Sequence, residues 1–138
     1  FDRNFPAVID ACSAPRSDEN GTWITAEMKA AYCHLNQQGI AHSVEVYRDN
    51  KLIGGLYGIS IGKLFFGESM FSRETNASKI AFITMVEQLR CWGYALIDCQ
   101  IKNEHLLSLG ATEISRSKFQ SYLDLYLDES VTHNWTFD

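Results

Sequence analysis

The spacing of apolar positions switches between the helical and the extended period, and each switch marks an element. Residues 4–11 (NFPAVIDA) predict a short helix with Pro6 near its start. Residues 12–21 are polar and turn-rich and read as a loop. Thr25 is placed to cap a helix running to about Gln38 and stopped by Gly39, with Met28, Tyr32 and Leu35 on one face. Three extended runs follow. HSVEVYR (42–48) alternates Val44 and Val46 against Glu45 and Arg48. A turn at Asp49–Asn50 leads into LIGGLYGISI (52–61), and a tight Ile61–Gly62 turn into KLFFGESM (63–70), so the three form an antiparallel meander. Asn76 then predicts the cap of a long helix to about Trp92, closed by Gly93, with Ile80, Phe82, Ile83, Val86 and Leu89 on its apolar side. A strand (94–100), a short helix (103–109) ending at Gly110, a strand near Thr112–Ile114 and a last helix (116–127) complete the pattern.

A strand, a helix and another strand in that order predict a parallel crossover after the meander. The expected class is α+β: an N-acyltransferase-like mixed sheet flanked by helices, as in the acyl-CoA N-acyltransferase superfamily. Topology alone says little about function. The 138 residues suit one domain with its own core. No apolar run approaches a membrane span and no signal peptide is visible. Cys12, Cys33, Cys91 and Cys99 form no CxxC pair and read as reduced thiols of a cytoplasmic protein. His34, His42, His105 and His133 show no ligand spacing; His105, in a short helix near the candidate site, is an acid or base candidate, but the favoured reading is a surface histidine. Seventeen acidic against twelve basic residues argue against a dedicated nucleic-acid surface on this chain alone. The chain begins with Phe1, so we expect a segment upstream of it.

Two stretches carry candidate chemistry. In FFGESMFSRETNASK (65–79), Gly67 interrupts an aromatic strand, as at a bulge or a close approach by a ligand, and Glu68 follows at once. Many acyltransferases of this outline hold a coenzyme A pyrophosphate on a glycine-rich turn before the next helix. Here that turn is SRETNAS, without glycine, so a different acyl carrier is expected. In ALIDCQ (95–100), a core strand ends in Asp98, Cys99 and Gln100. Asp98 and Gln100 share a face and Cys99 takes the other, which reads as core. From the residues alone, the favoured role for Asp98 and Gln100 is to cap the following helix and bond the loop backbone. For Glu68 the plain alternative is a strand-end carboxylate paired with Arg73 or Lys79.

GTWIT, GGLYG, FFGESMFSR, NASK, LIDCQ followed by Asn103, and SLGA together resemble the leucyl/phenylalanyl-tRNA–protein transferases, in order from about Phe5 to Leu127. The resemblance implies transfer of Leu or Phe from an aminoacyl-tRNA to proteins beginning with Arg or Lys, marking them for degradation under the N-end rule. It implies no metal and no coenzyme A. It covers the second, catalytic domain of that family. Residues 1–20 would then be the link to an upstream domain that holds further tRNA contacts, 21–130 the catalytic domain and 131–138 a tail. We expect a monomer that folds alone and binds tRNA weakly, with a shallow salt slope.

The resemblance favours catalysis by Asp98 and Gln100. Gln100 would accept a hydrogen bond from the attacking amine and aim its lone pair; Asp98 would polarise Gln100 or take the proton through it or water. Glu68 would pair with an ammonium, and Asn103 would hold substrate backbone or cap its own helix. Leu56, Phe65, Gly67, Phe82, Met85 and Ile97 would form the pocket for the Leu or Phe side chain, although such residues are ordinarily core. Trp23 would stack on the terminal adenine or close a small inter-helix core. Two alternatives stand beside this reading: an N-acyltransferase using another activated donor, and a non-catalytic binder of basic protein N-termini.

Overall fold

The computed structural model describes residues 1–14, 24–100 and 103–136. Its elements are α1 (Phe5–Ser13), α2 (Ala26–Gln37), β1 (Ala41–Arg48), β2 (Lys51–Ile61), β3 (Leu64–Ser72), α3 (Ala77–Cys91), β4 (Leu96–Asp98), α4 (Glu104–Ser108) and α5 (Arg116–Tyr126). The sheet order is β1-β2-β3-β4, antiparallel through the meander and parallel between β3 and β4. The chain is thus α+β, with a mixed four-stranded sheet between helices.

Local chemistry explains most boundaries. Asn4 and Thr25 accept the Ala7 and Met28 N–H groups and cap α1 and α2. Asp49 and Asn50 both take positive φ (49° and 64°), the geometry of a two-residue hairpin turn. Asn76 departs from expectation. It precedes α3 in a left-handed conformation (φ 67°) without a side-chain capping bond. The Ser72 hydroxyl receives the Ser78 N–H instead, at 3.3 Å.

Two cores lie on the two faces of the sheet. On one face Val44, Leu56 and Phe65 pack against Ala81, Phe82, Met85 and Leu89 of α3, with Leu106 of α4. On the other, Ala41 and Tyr57 pack against Phe5, Val8, Ile9 and Cys12 of α1 and Ile24, with Met28, Tyr32 and Leu35 at the margin. The buried stripe of α3 differs in part from the expected one: Ile80 and Ile83 are exposed, and Ala81 turns inward beside Phe82 and Met85. Gly54 sets this approach, since a Cβ there would lie 2.5 Å from the Ala77 Cβ.

Two further differences shape the site. The strand expected over 94–100 pairs only from Leu96 to Asp98. The strand expected near Thr112–Ile114 does not form: Thr112 and Glu113 are exposed, so extended pairing there would bury little.

Candidate active site

Pairing of β2 with β3 runs Leu56 to Met70 and Tyr57 to Ser69, then Gly58 to Gly67. Glu68 is therefore the extra residue of a β-bulge, which re-aims a side chain at the point where pairing is disturbed. The glycine signal in the sequence pointed to this irregularity. Two residues before the bulge, β4 stops pairing, at Phe66 with Asp98.

The chain leaves β4 through a turn built by its own side chains. An Asp98 carboxylate oxygen accepts the Gln100 main-chain N–H at 2.8 Å. Gln100 takes φ 65°, a left-handed conformation that costs about 1 kcal/mol or more for a side chain with a Cβ. Its amide Nε2 donates to the Gly67 carbonyl at 2.6 Å, tying the turn back to the bulge. Asp98 and Gln100 thus bond loop backbone, but they do not cap α4. That is done by Asn103, whose carboxamide oxygen accepts the Leu106 N–H at 2.7 Å.

Glu68 lies beside this turn, half-buried. Burial raises its pKa above the usual carboxylate range, hydrogen bonds from Gln100 and Tyr32 oppose that shift, and the nearby Asp98 charge adds to it. Arg73 is engaged elsewhere, donating to the Leu52 carbonyl and lying over the Phe71 ring. Among the described residues no Lys, Arg or His pairs with Glu68 or Asp98. The Tyr32 hydroxyl is pushed up to about 12, by burial first and then by the Glu68 charge, so it stays a donor at neutral pH. The sequence showed Tyr32 only as part of an apolar helix face, and nothing in it announced a contact with Glu68.

These groups border a cavity of about 1070 Å³. Leu56, Gly67, Phe82, Met85 and Ile97 line it, with Glu68, Gln100 and Asn103. Phe65 is not in the wall; it is 1% exposed and packs in the core beneath it. A Cβ on Gly67 would meet only the Asp98 carbonyl, at 3.6 Å, so a side chain there would occupy cavity space. His105, expected near the site, also lines the cavity, as do Met70 and Cys99, which were not expected there. Asp98 faces a second cavity, of about 820 Å³, between β4, α4 and the segment before α5. Cys99 borders both, and burial followed by the Asp98 charge raises its thiol pKa, which suits a packing role. Trp23 lies outside the described residues. Among the described residues no three His, Cys, Asp or Glu side chains come together to hold a metal ion.

Chemically, the arrangement offers an apolar chamber closed by a carboxamide of fixed orientation. The Gln100 Nε2 group donates to the Gly67 carbonyl beside the Glu68 carboxylate, and among the described residues no hydrogen bond occupies its Oε1, an acceptor. Glu68 adds a carboxylate without a cation.

Residues 1–124 match the family described as Leucyl/phenylalanyl-tRNA protein transferase. A leucyl/phenylalanyl-tRNA–protein transferase of Hahella chejuensis is 59% identical over 135 residues, which cover 98% of this chain and 58% of the relative. Relatives with the same name from Pseudomonas putida and Azotobacter vinelandii are 58% and 57% identical, each over 98% of this chain and 60% of their own length. The chain therefore spans about three-fifths of the curated relatives it matches.

Proposed function

Because the chain belongs to the leucyl/phenylalanyl-tRNA protein transferase family, we propose that it carries the catalytic centre for moving Leu or Phe from an aminoacyl-tRNA to the α-amine of a protein. The bond that forms joins the amine nitrogen to the acyl carbon. The bond that breaks is the ester to the tRNA ribose oxygen, which leaves with a proton. An activated ester needs orientation and a proton acceptor more than it needs a strong catalyst.

The observation that carries this reading is Gln100, held by Asp98 at its main chain and by Gly67 at its amide, beside an apolar chamber. Its Oε1 would accept one amine hydrogen and aim the lone pair at the carbonyl. Asp98 contributes by shaping this turn; the amine proton leaves through Asp98 or water. The chamber bounded by Leu56, Gly67, Phe82, Met85 and Ile97 would take the Leu or Phe side chain. Glu68 would pair with an ammonium of the substrates, which fits acceptors beginning with Arg or Lys. The Asn103 oxygen caps α4, which leaves its NH2 group for the substrate backbone.

The finer assignments belong to the same reading. The fold is that of the acyl-CoA N-acyltransferase superfamily with a different acyl carrier. Residues 21–130 form the catalytic unit of a monomeric cytoplasmic enzyme. The test is transfer of labelled Phe from Phe-tRNA to a peptide beginning with Arg, run with this chain and with the chain extended to the length of its relatives. Transfer by the extended chain that is lost on Gln100→Ala supports the reading; transfer indifferent to that substitution overturns it.

A further inference from the structure

β3 is paired from Leu64 to Ser72 on the β2 side, apart from the bulged Glu68, but β4 covers only Leu64 to Phe66 on the other. From Gly67 to Ser72, among the described residues, the strand has a partner on one side only. Such an edge presents alternate N–H and C=O groups ready to bond an extended chain. Among the described residues this edge opens on a cavity. Gly67, Glu68, Ser69, Met70, Phe71, Ser72 and Arg73 form an unbroken run in the wall of the larger cavity. The first carbonyl of the run, that of Gly67, already accepts a bond from a side chain, the Gln100 amide.

Building on the proposed transfer activity, we infer that the first residues of the acceptor protein bind as an added strand on this free edge of β3, with their α-amine at the Gln100 end. The chemistry fits a protein substrate. Acceptors that share a first residue differ in the side chains that follow, and the backbone is what they have in common. Strand addition reads backbone and leaves side chains largely free. The charge pattern sets the direction. Glu68 marks the end where an ammonium belongs, and Arg73 the opposite end. At about 3.3 Å per residue, the five residues beyond Gly67 span roughly 17 Å, enough for four or five acceptor residues. The bulge lies at the start of the run, so the stretch after it keeps regular strand geometry.

The inference predicts a sensitivity with period two. In an added strand, alternate N–H groups face the partner and the others face away. The experiment measures binding to the 138-residue chain of a pentapeptide amide, Arg followed by four Ala, and of three variants N-methylated singly at residues 2, 3 and 4. Strand addition weakens binding about tenfold at alternate positions and hardly at all between them. Hydrogen exchange should meanwhile slow at amides within Glu68–Ser72 when the parent peptide is added. Equal tolerance or equal loss at all three positions overturns the inference, as does a parent peptide that fails to bind. Protection of these amides by a 3′-aminoacyl-adenosine mimic but not by the peptide also overturns it, assigning the edge to the donor. Failure of the proposed transfer activity is read separately, as peptide binding without transfer from Phe-tRNA.

Discussion

At the β1 edge of the sheet, Asp2 and Glu45 are each surrounded by donors; at the β3 bulge and the end of β4, Glu68 and Asp98 lie near one another with no cation paired to either among the described residues. Asp2 receives the His42 ring at 2.6 Å, the Asn36 amide and the Ser43 N–H. Glu45 receives the Ser43 hydroxyl and the Arg3 and Asn4 N–H groups. The second His42 ring nitrogen meets the Gly39 carbonyl, and the ring stacks on Trp135 at 3.6 Å. The β4 cluster instead places two carboxylates near each other, leaves the Gln100 carboxamide oxygen without a hydrogen bond among the described residues and holds a residue in an unfavourable backbone region. Both clusters follow from similar residue types. The difference is that one set of bonds closes on itself, while the other leaves capacity for a further partner.

Breaking each cluster should therefore have opposite consequences. Gln100→Ala should lower the rate of transfer about a hundredfold or more, measured in single-turnover reactions. It should change the urea midpoint little, because the residue is exposed. His42→Ala should do the reverse. It removes the partner of a partly buried carboxylate and a stacked ring, at a cost of about 2–3 kcal/mol in urea unfolding, with transfer per folded molecule unchanged.

Two further measurements sharpen the contrast. Gly67→Ala adds a methyl group to the chamber rather than to the core, so transfer of Phe should fall about tenfold relative to Leu, with little loss of stability. The smallest effect is in pH. Burial holds the folded-state pKa of Glu68 above its ordinary 4.5, so the folded chain keeps this proton more tightly than the unfolded chain does. The resulting stability is complete below pH 4.5 and is lost as pH rises through the raised value. Urea midpoints from acid to neutral pH should show the parent losing ground against Glu68→Gln across that window. Parallel curves would place Glu68 in open solvent and erase the distinction between the clusters.

The sequence made the scaffold legible where periodicity and turn chemistry agreed: the meander, its Asp49–Asn50 turn, α1, the Thr25-capped α2, and the parallel crossover. It misled where one signal stood alone. Asn76 had the chemistry of a cap, but its backbone is left-handed. Thr112–Ile114 had β-propensity, but two of its three residues stay exposed, with little to bury by pairing. Ile80 and Ile83 are apolar yet lie off the stripe that α3 buries. At the candidate site, Asp98, Gln100, Glu68 and the chamber residues were nominated through a family resemblance, and most of the chamber residues line one cavity. Their environment was not readable, because it depends on a bulge register, on the early end of β4 and on Tyr32 arriving from another helix.

The brevity of β4 has a consequence in time as well as in space. The meander pairs neighbours, with Arg48 opposite Lys51 and Ile61 opposite Leu64, so its loops close early and at little entropic cost. Asp98 reaches Phe66 only after the whole of α3 has been made and docked, and three residue pairs hold it there. Contacts so distant along the chain, and so few, form late. A refolding chain would thus acquire its meander and the core under α1 before the turn containing Gln100 takes shape, and the candidate site would be completed last.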